Sequence, residues 1–153
     1  MTPADQTITG LGGDCWAACI ATVLDLPRAD VPHFVNTQGP EEERGDALWY
    51  RASRAWLQEH TGLDLWAYTP DDIWPPREAF ADLPADTRQL YALASGQSPR
   101  GDWLHGVVID LDGHVVHDPH PARAGVVGPF VDYMVLAPPD DDMNPLHDRG
   151  EQP

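Results

Sequence analysis

The chain has 153 residues, 42% of them hydrophobic, which suits a single globular domain with a core of its own. Nine Lys and Arg residues against 25 Asp and Glu residues give a net charge of −16. A field of that sign repels phosphate backbones and anionic lipid surfaces, so nucleic acid and membrane partners are both disfavoured.

The N-terminal part of the chain predicts one helix that begins at a cysteine. Residues 1–10 have no basic or apolar stretch of the kind found in signal peptides, so we expect none. After a glycine-rich stretch, Asp14 is expected to act as the N-cap of the helix, and Pro27 ends it. Its apolar face is spaced as in a helix and consists of Trp16, Cys19, Ile20, Val23 and Leu24.

A second helix and a first strand are predicted in the middle of the chain. Residues 31–34 read as an extended loop and 36–45 as a polar surface loop. The helix covers 46–60, with Gly62 in the C′ position. Its buried stripe is expected to consist of Leu48, Trp49, Ala52, Ala55, Trp56 and Leu57. Alternation over 63–68 predicts a strand.

The second half of the chain predicts short strands. The prolines within 69–88 leave room only for a short helix near 78–82. Runs rich in strand-forming residues follow, separated by turn residues, at 89–95, 103–110, 114–118 and 133–136. Helices followed by strands predict an α+β domain with a mostly antiparallel sheet over 1–137. Residues 138–153 are acidic and poor in core residues, and we expect a mobile tail.

Cys15 is the candidate nucleophile. A thiol in the first turn of a helix lies where unpaired N–H groups and the helix dipole favour the thiolate. The alternative is that Cys15 is a small core residue, a role that Cys19 on the apolar face suits well. Two cysteines four residues apart make no disulfide framework, so we expect a reduced, cytoplasmic protein.

His105 and Asp118 are predicted to meet across a hairpin. His105 begins a strand that runs to Asp110, and the returning strand ends at Asp118. In one register the two side chains are directly opposed, and in the register of a two-residue turn they are diagonal on the same face. A one-residue bulge after the turn would reverse the parity. A carboxylate that orients an imidazole is the partner that a catalytic base requires.

These residues resemble a known superfamily. A cysteine that opens a helix after Gly13-Asp14, then His105-Gly106-Val107-Val108 and a later aspartate, are similar to the papain-like cysteine peptidases. The likeness is greatest to small bacterial and phage proteins related to the bacteriocin-leader peptidases. It lies in residues 15–34 and 101–121, and residues 36–88 carry almost none of it.

The resemblance implies a papain-like fold, in which the Cys15 helix packs on the sheet, and a catalytic triad of Cys15, His105 and Asp118. It implies a cysteine hydrolase that attacks a peptide, protein or other amide or thioester and forms an acyl-enzyme, without a cofactor. An upstream Gln binds the oxyanion in that superfamily, and Gln6 is the upstream candidate here, beside the backbone N–H of Cys15. Acyltransferase, deamidase and a non-catalytic binding module with the same fold remain alternatives.

The triad also predicts charges. A protonated His105 beside Cys15, with the helix N-terminus, is expected to lower the pKa of the thiol below its free value of about 8.5. Asp118 is expected to keep His105 charged to a higher pH than a free histidine. Activity would then fall on the alkaline side as His105 loses its proton.

Two other features invite a functional interpretation. A short His/Asp cluster, His114, His117 and His120 with Asp110, Asp112 and Asp118, could bind a metal, but it lacks a known ligand spacing and we predict no metal site. Trp16 and Trp103 flank the cysteine and the histidine, so either could line a substrate cleft, although a core role is commoner for tryptophan.

Overall fold

The computed structural model describes residues 1–35, 46–79 and 90–139. Nine segments form its regular structure: α1 (Cys15–Val23), a 3-10 turn (Arg28–Asp30), α2 (Asp46–Thr61), β1 (Asp64–Tyr68), α3 (Pro76–Ala79), β2 (Tyr91–Gln97), β3 (Leu104–Asp110), β4 (Val115–His117) and β5 (Val127–Ala137). The predicted loop at 36–45, the end of the predicted helix at 80–82 and the tail beyond 139 lie outside the described residues.

The five strands form one antiparallel sheet in the order β1-β5-β2-β3-β4. The predicted α+β class with an antiparallel sheet is confirmed. The first half of β5 was not predicted, because Gly128 and Pro129 read as a turn. The register of β2 against β5 shifts on either side of Gly96, and these irregularities accommodate a proline that cannot donate to a regular ladder.

Buried side chains cover both faces of the sheet. On one face, α1 and Leu57 of α2 pack against Leu65, Leu93 and Val108. On the other face, Val107, Ile109 and Tyr133 form a second cluster that includes Ala79 of α3. The first four residues of β1 are all buried, since this strand is covered on both sides. The site described below lies beside the first cluster, where α1 meets β3.

The buried stripe of α2 differs from the predicted one. Leu48, Ala52 and Ala55 are exposed, whereas Ser53 and Leu57 are fully buried. Ser53 is buried because its hydroxyl accepts a hydrogen bond from the indole N–H of Trp16 at 3.1 Å. The spacing of apolar residues cannot predict a buried helix face whose central residue is the polar Ser53. The end of the helix at Gly62, with a φ of 71°, is as predicted.

Among the described residues, every helix is too short or too polar to cross a membrane.

Candidate active site

The start of α1 is built around Gly13. A Cβ atom on this residue would lie 2.7 Å from the carbonyl oxygen of Ile8 and 3.0 Å from that of Gly10, so only glycine fits. The N–H of Gly13 donates to the Gly10 carbonyl at 2.9 Å, which closes the turn that leads into the helix. Cys15 follows as the first residue of α1 and is partly exposed, whereas Cys19 is fully buried.

Asp14 occupies the N-cap position of α1, as predicted, but its side chain makes no capping hydrogen bond. Its carboxylate is fully buried and turned back to the preceding loop, where it accepts hydrogen bonds from the N–H groups of Thr7 and Ile8 and pairs with Arg28 at 2.7 Å. Burial alone would raise the pKa of Asp14. The hydrogen bonds from Thr7 and Ile8 and the charge of Arg28 outweigh this effect, so the net pKa is lowered. The Asp14 side chain therefore accepts no hydrogen bond from the first N–H groups of α1.

His105 and Asp118 form a buried hydrogen-bonded pair. The Nε2–H of His105 donates to Asp118 Oδ1 at 2.7 Å, and the two residues are 3% and 5% exposed. The backbone N–H groups of His120 and Gly125 donate to the same carboxylate at 2.8 and 2.7 Å. This hydrogen bonding fixes the tautomer of neutral His105, with the proton on Nε2 and the lone pair on Nδ1.

The hairpin brings the pair together through a bulge. Ile109 pairs with Val115, but Val108 pairs with His117, so Val116 is an additional residue in β4. The Ile109–Val115 pair near the turn belongs to neither of the two predicted registers. Beyond the bulge, the Val108–His117 pair belongs to the predicted register in which His105 and Asp118 are diagonal. The directly opposed register is wrong. Asp118 reaches His105 from just beyond the end of β4, because the bulge and the longer turn offset each other in parity.

The sulfur of Cys15 lies against the residue that follows His105. The N–H of Gly106 donates to Cys15 Sγ at 3.5 Å. A Cβ atom on Gly106 would lie 3.8 Å from Cys15 Sγ and 3.7 Å from Cys19 Sγ, so β3 approaches both cysteines closely at this glycine. Cys15 Sγ therefore lies against the backbone of β3 directly after His105, whose imidazole is hydrogen-bonded to Asp118.

The pKa directions of the two groups are opposite to the prediction. Burial raises the pKa of Cys15, and the N–H of Gly106 opposes this without overcoming it. Burial likewise lowers the pKa of His105, against the hydrogen bond and charge of Asp118. Desolvation of both groups outweighs the hydrogen bonds that stabilise their charged forms, so the raised pKa of Cys15 and the lowered pKa of His105 favour a thiol and a neutral imidazole at rest.

Gln6 is buried next to the start of α1. Its side-chain Nε2 donates to the Ile8 carbonyl at 2.8 Å, and lies 3.4 Å from the position that a Cβ of Gly13 would take. One of its two amide hydrogens is therefore unused by this bond, and Oε1 has no hydrogen-bond partner among the described residues. The backbone N–H of Gln6 donates to Pro119, the residue after Asp118, at 3.0 Å.

The two tryptophans occupy core and loop positions. Trp16 is 6% exposed and packs edge-on against Trp49, with 4.9 Å between the ring centroids, in the contact between α1 and α2. Trp103 precedes β3 and lays its ring over Gly101. Trp16 is thus a core residue, whereas Trp103 is half-buried beside its own loop.

The histidines and aspartates of the His/Asp cluster make separate contacts. Asp110 accepts hydrogen bonds from the N–H groups of Asp112 and His114 and so stabilises the turn, and Arg77 pairs with Asp112. Ligand atoms of Asp110, Asp112 and His114 lie within 4.8 Å of one another, all near the surface. His117 points elsewhere and donates to the Ala4 carbonyl at 2.9 Å.

Several residues of the site were not predicted. The amides of His120 and Gly125 bind Asp118, and the Asp-Pro-His sequence at 118–120 was a usable signal, because an aspartate often accepts the N–H two residues later. His120 also stands perpendicular to His105, with 6.2 Å between ring centroids. Arg100, whose charge acts on His105, has no signature in the sequence.

Comparison of the chain with protein-family models, curated proteins and solved structures gives no significant match in any of the three.

Proposed function

We propose that the protein is a cysteine hydrolase of the papain-like type, which cleaves an amide bond of a peptide or protein through an acyl-enzyme. One observation carries the proposal: the partly exposed thiol at the first residue of α1 contacts the amide next to a buried imidazole–carboxylate pair. A nucleophile, a base and a group that orients the base are what covalent acyl transfer requires.

His105 acts as a general base in this mechanism. Because the resting pair is neutral, the thiol proton moves to Nδ1 of His105 as Cys15 Sγ forms its bond to the carbonyl carbon. Asp118 stabilises the imidazolium that results. The C–N bond then breaks, His105 returns the proton to the leaving nitrogen, and the acyl group stays on sulfur until water attacks it and releases the acid and the thiol.

Two groups at the start of α1 are placed to bind the oxyanion. The N–H of Cys15 lies in the first turn of a helix, where backbone donors have no partner within the helix. The unused amide hydrogen of Gln6 is the second donor, because Nε2 lies beside Gly13, two residues before the nucleophile. Removal of one such donor from an oxyanion hole lowers kcat by about 10²–10³-fold.

Alkylation of Cys15 by iodoacetamide tests whether His105 activates the thiol. At neutral pH we expect His105→Gln to slow the labelling of Cys15 by about tenfold or more, since a general base contributes about 10²–10⁴ to proton transfer. His114→Gln is the matched control, because His114 is exposed at the β3–β4 turn. Peptide mass spectrometry separates Cys15 from the fully buried Cys19.

Equal rates in the wild type and His105→Gln would overturn the proposal. A second measurement follows new peptide termini in a mixture of natural peptides. Cys15→Ala should abolish their formation with the fold intact, whereas Cys19→Ala should keep it and mainly cost packing, since Cys19 belongs to the core. Full activity in Cys15→Ala would also contradict the mechanism.

A further inference from the structure

Arg100 is a cation that has no acidic partner within residues 1–35, 46–79 and 90–139. Both terminal nitrogens of its guanidinium, Nη1 and Nη2, are buried and have no hydrogen-bond partner among the described residues. Four other arginines of the described residues pair with aspartates: Arg28, Arg54, Arg77 and Arg123. An arginine cannot lose its proton to relieve burial, so a desolvated guanidinium without an anion is costly.

The loop between β2 and β3 holds Arg100 in place. The N–H of Ser98 donates to the Trp103 carbonyl at 2.9 Å, and the N–H of Arg100 donates to Ser98 Oγ at 3.2 Å. The ring of Trp103 fills the space beside Gly101, where a Cβ atom would lie 1.7 Å from it. The guanidinium is therefore carried by a loop of defined shape.

Arg100 lies in the loop that leads into β3, five residues before His105. Burial of the ring lowers the pKa of His105 and the charge of Arg100 lowers it further, against the hydrogen bond that His105 donates to Asp118. Asp118 accepts hydrogen bonds from His105, His120 and Gly125 and none from Arg100. An anion from outside the described residues can therefore pair with the guanidinium.

We propose that Arg100 binds a carboxylate of the substrate close to the bond that Cys15 attacks, an inference that rests on the proposed function. The planar guanidinium donates two parallel hydrogen bonds to a carboxylate, and such bonds are stronger in a desolvated pocket. The substrate is then a peptide with either an acidic side chain or a free C-terminal carboxylate next to the scissile amide. The net charge of −16 repels anionic ligands in general. A buried cation would attract only a carboxylate that reaches it, so it would select substrates by the position of their carboxylate.

Three alkylating probes test this inference. N-iodoacetylglycine carries a terminal carboxylate, N-iodoacetylaspartic α-amide carries a side-chain carboxylate, and N-iodoacetylglycine amide carries none. Each forms a carbon–sulfur bond with Cys15 and releases iodide. The measurement is the rate of labelling of each acid relative to the neutral amide, by mass spectrometry, in the wild type and in Arg100→Gln.

We expect Arg100→Gln to lower the rate of at least one acid, relative to the neutral amide, by about tenfold, the factor that a charge-assisted hydrogen bond can supply. The neutral amide is the reference within each variant, because a change in the pKa of His105 alters the rates of all three probes alike. The acid affected identifies the source of the carboxylate. Arg51→Gln, which removes an exposed arginine from α2, is the matched control for net charge. Unchanged relative rates for both acids would overturn the inference, as would an equal loss for all three probes.

Stability separates binding from a structural role. Arg100→Gln and Arg100→Met should unfold at the same urea concentration as the wild type or higher, because they remove an unpaired buried charge. A clear loss of stability in both variants would assign Arg100 to the fold and contradict the inference. The proposed function fails separately, if labelling by the neutral probe does not depend on His105.

Discussion

The residues of the site balance burial against charge. His105 keeps a carboxylate at 2.7 Å and yet has a lowered pKa, because its ring is desolvated and Arg100 and His120 oppose a further positive charge. Desolvation also raises the pKa of the Cys15 thiol. A neutral thiol beside a neutral imidazole does not react until the proton moves, so the base and not the resting charge determines reactivity.

The pH profile of alkylation or turnover tests this balance. The rate should rise as His105 loses its proton, with an apparent pKa below its ordinary value of about 6.5. In Asp118→Asn the imidazolium loses its carboxylate, so the pKa of His105 falls further and the acid limb moves to lower pH. The rate should also fall, by about tenfold or more, because the base is less well held.

A thiolate–imidazolium pair would respond differently to Asp118→Asn. In such a pair, His105 would set the alkaline limb, and that limb would move instead. A shift of the alkaline limb with the acid limb fixed would therefore contradict the neutral resting pair, and an unchanged profile and rate would remove Asp118 from the mechanism.

Asp14 stabilises the loop before the nucleophile. In Asp14→Asn the buried amide replaces a carboxylate that accepts from Thr7 and Ile8 and pairs with Arg28. We expect a loss of about 2 kcal/mol in the free energy of unfolding at neutral pH, the range of hydrogen bonds to a charged group. The change is measured by urea unfolding.

The difference between Asp14→Asn and the wild type should disappear in acid. The pKa of Asp14 is depressed in the folded state, so its contribution is present above the unfolded pKa of about 3.8 and is lost as the pH falls through the folded value. Asp30→Asn, at an exposed position, is the control. A difference that persists at low pH would mean that shape and not charge stabilises the loop.

The place of Cys15 at the start of α1 and the contact between His105 and Asp118 were predictable, because sequence order and local pattern agreed there. Cys15, His105 and Asp118 could be named because a cysteine opens a helix and a hairpin brings a histidine towards an aspartate. The direction of their pKa values could not be predicted, because desolvation depends on how deeply α1 and β3 bury them. Arg100 could not be found either, since its lack of a partner is a property of the folded chain.

At the scale of elements, the contact between α1 and α2 depends on one polar bond. The indole N–H of Trp16 and the hydroxyl of Ser53 are both buried and meet at 3.1 Å. In Ser53→Ala the indole N–H is left without a partner, and we expect a loss of about 1–3 kcal/mol in the free energy of unfolding.

The matched control for Ser53→Ala is Ala55→Ser on the exposed face of α2, which should change stability by less than about 0.5 kcal/mol. Both are measured by urea unfolding followed by tryptophan fluorescence. Equal midpoints for Ser53→Ala and the wild type would show that the bond contributes nothing to the packing of the two helices.

The elements were predictable to different degrees for physical reasons. The C-terminal end of α2 followed from Gly62, and β3 followed from its run of apolar residues. The first half of β5 was missed because it contains Gly128 and Pro129, and its pairing depends on close approach at Gly96, where a Cβ would lie 2.9 Å from Val126. The bulge at Val116 was equally hidden, because register is set by the partner strand as well as by the turn.

At the scale of the whole molecule, the net charge of −16 opposes folding through self-repulsion. Salt should therefore stabilise the protein: between about 10 mM and about 150 mM NaCl the Debye length falls from about 30 Å to about 8 Å. We expect the urea midpoint to rise over this range, with KCl as a control for ion-specific effects. A falling midpoint would mean that pairs such as Arg54–Asp64 outweigh the repulsion.

The N-terminal segment is joined to the loop that carries Asp118. His117 donates to the Ala4 carbonyl, and Arg123 pairs with Asp5, across sequence separations of 113 and 118 residues. On the ribosome, Cys15 is made before His105 and Asp118. A nascent chain therefore carries the thiol without its base, and under the proposed chemistry the protein cannot act on neighbouring polypeptides before Asp118 has been made and has met His105.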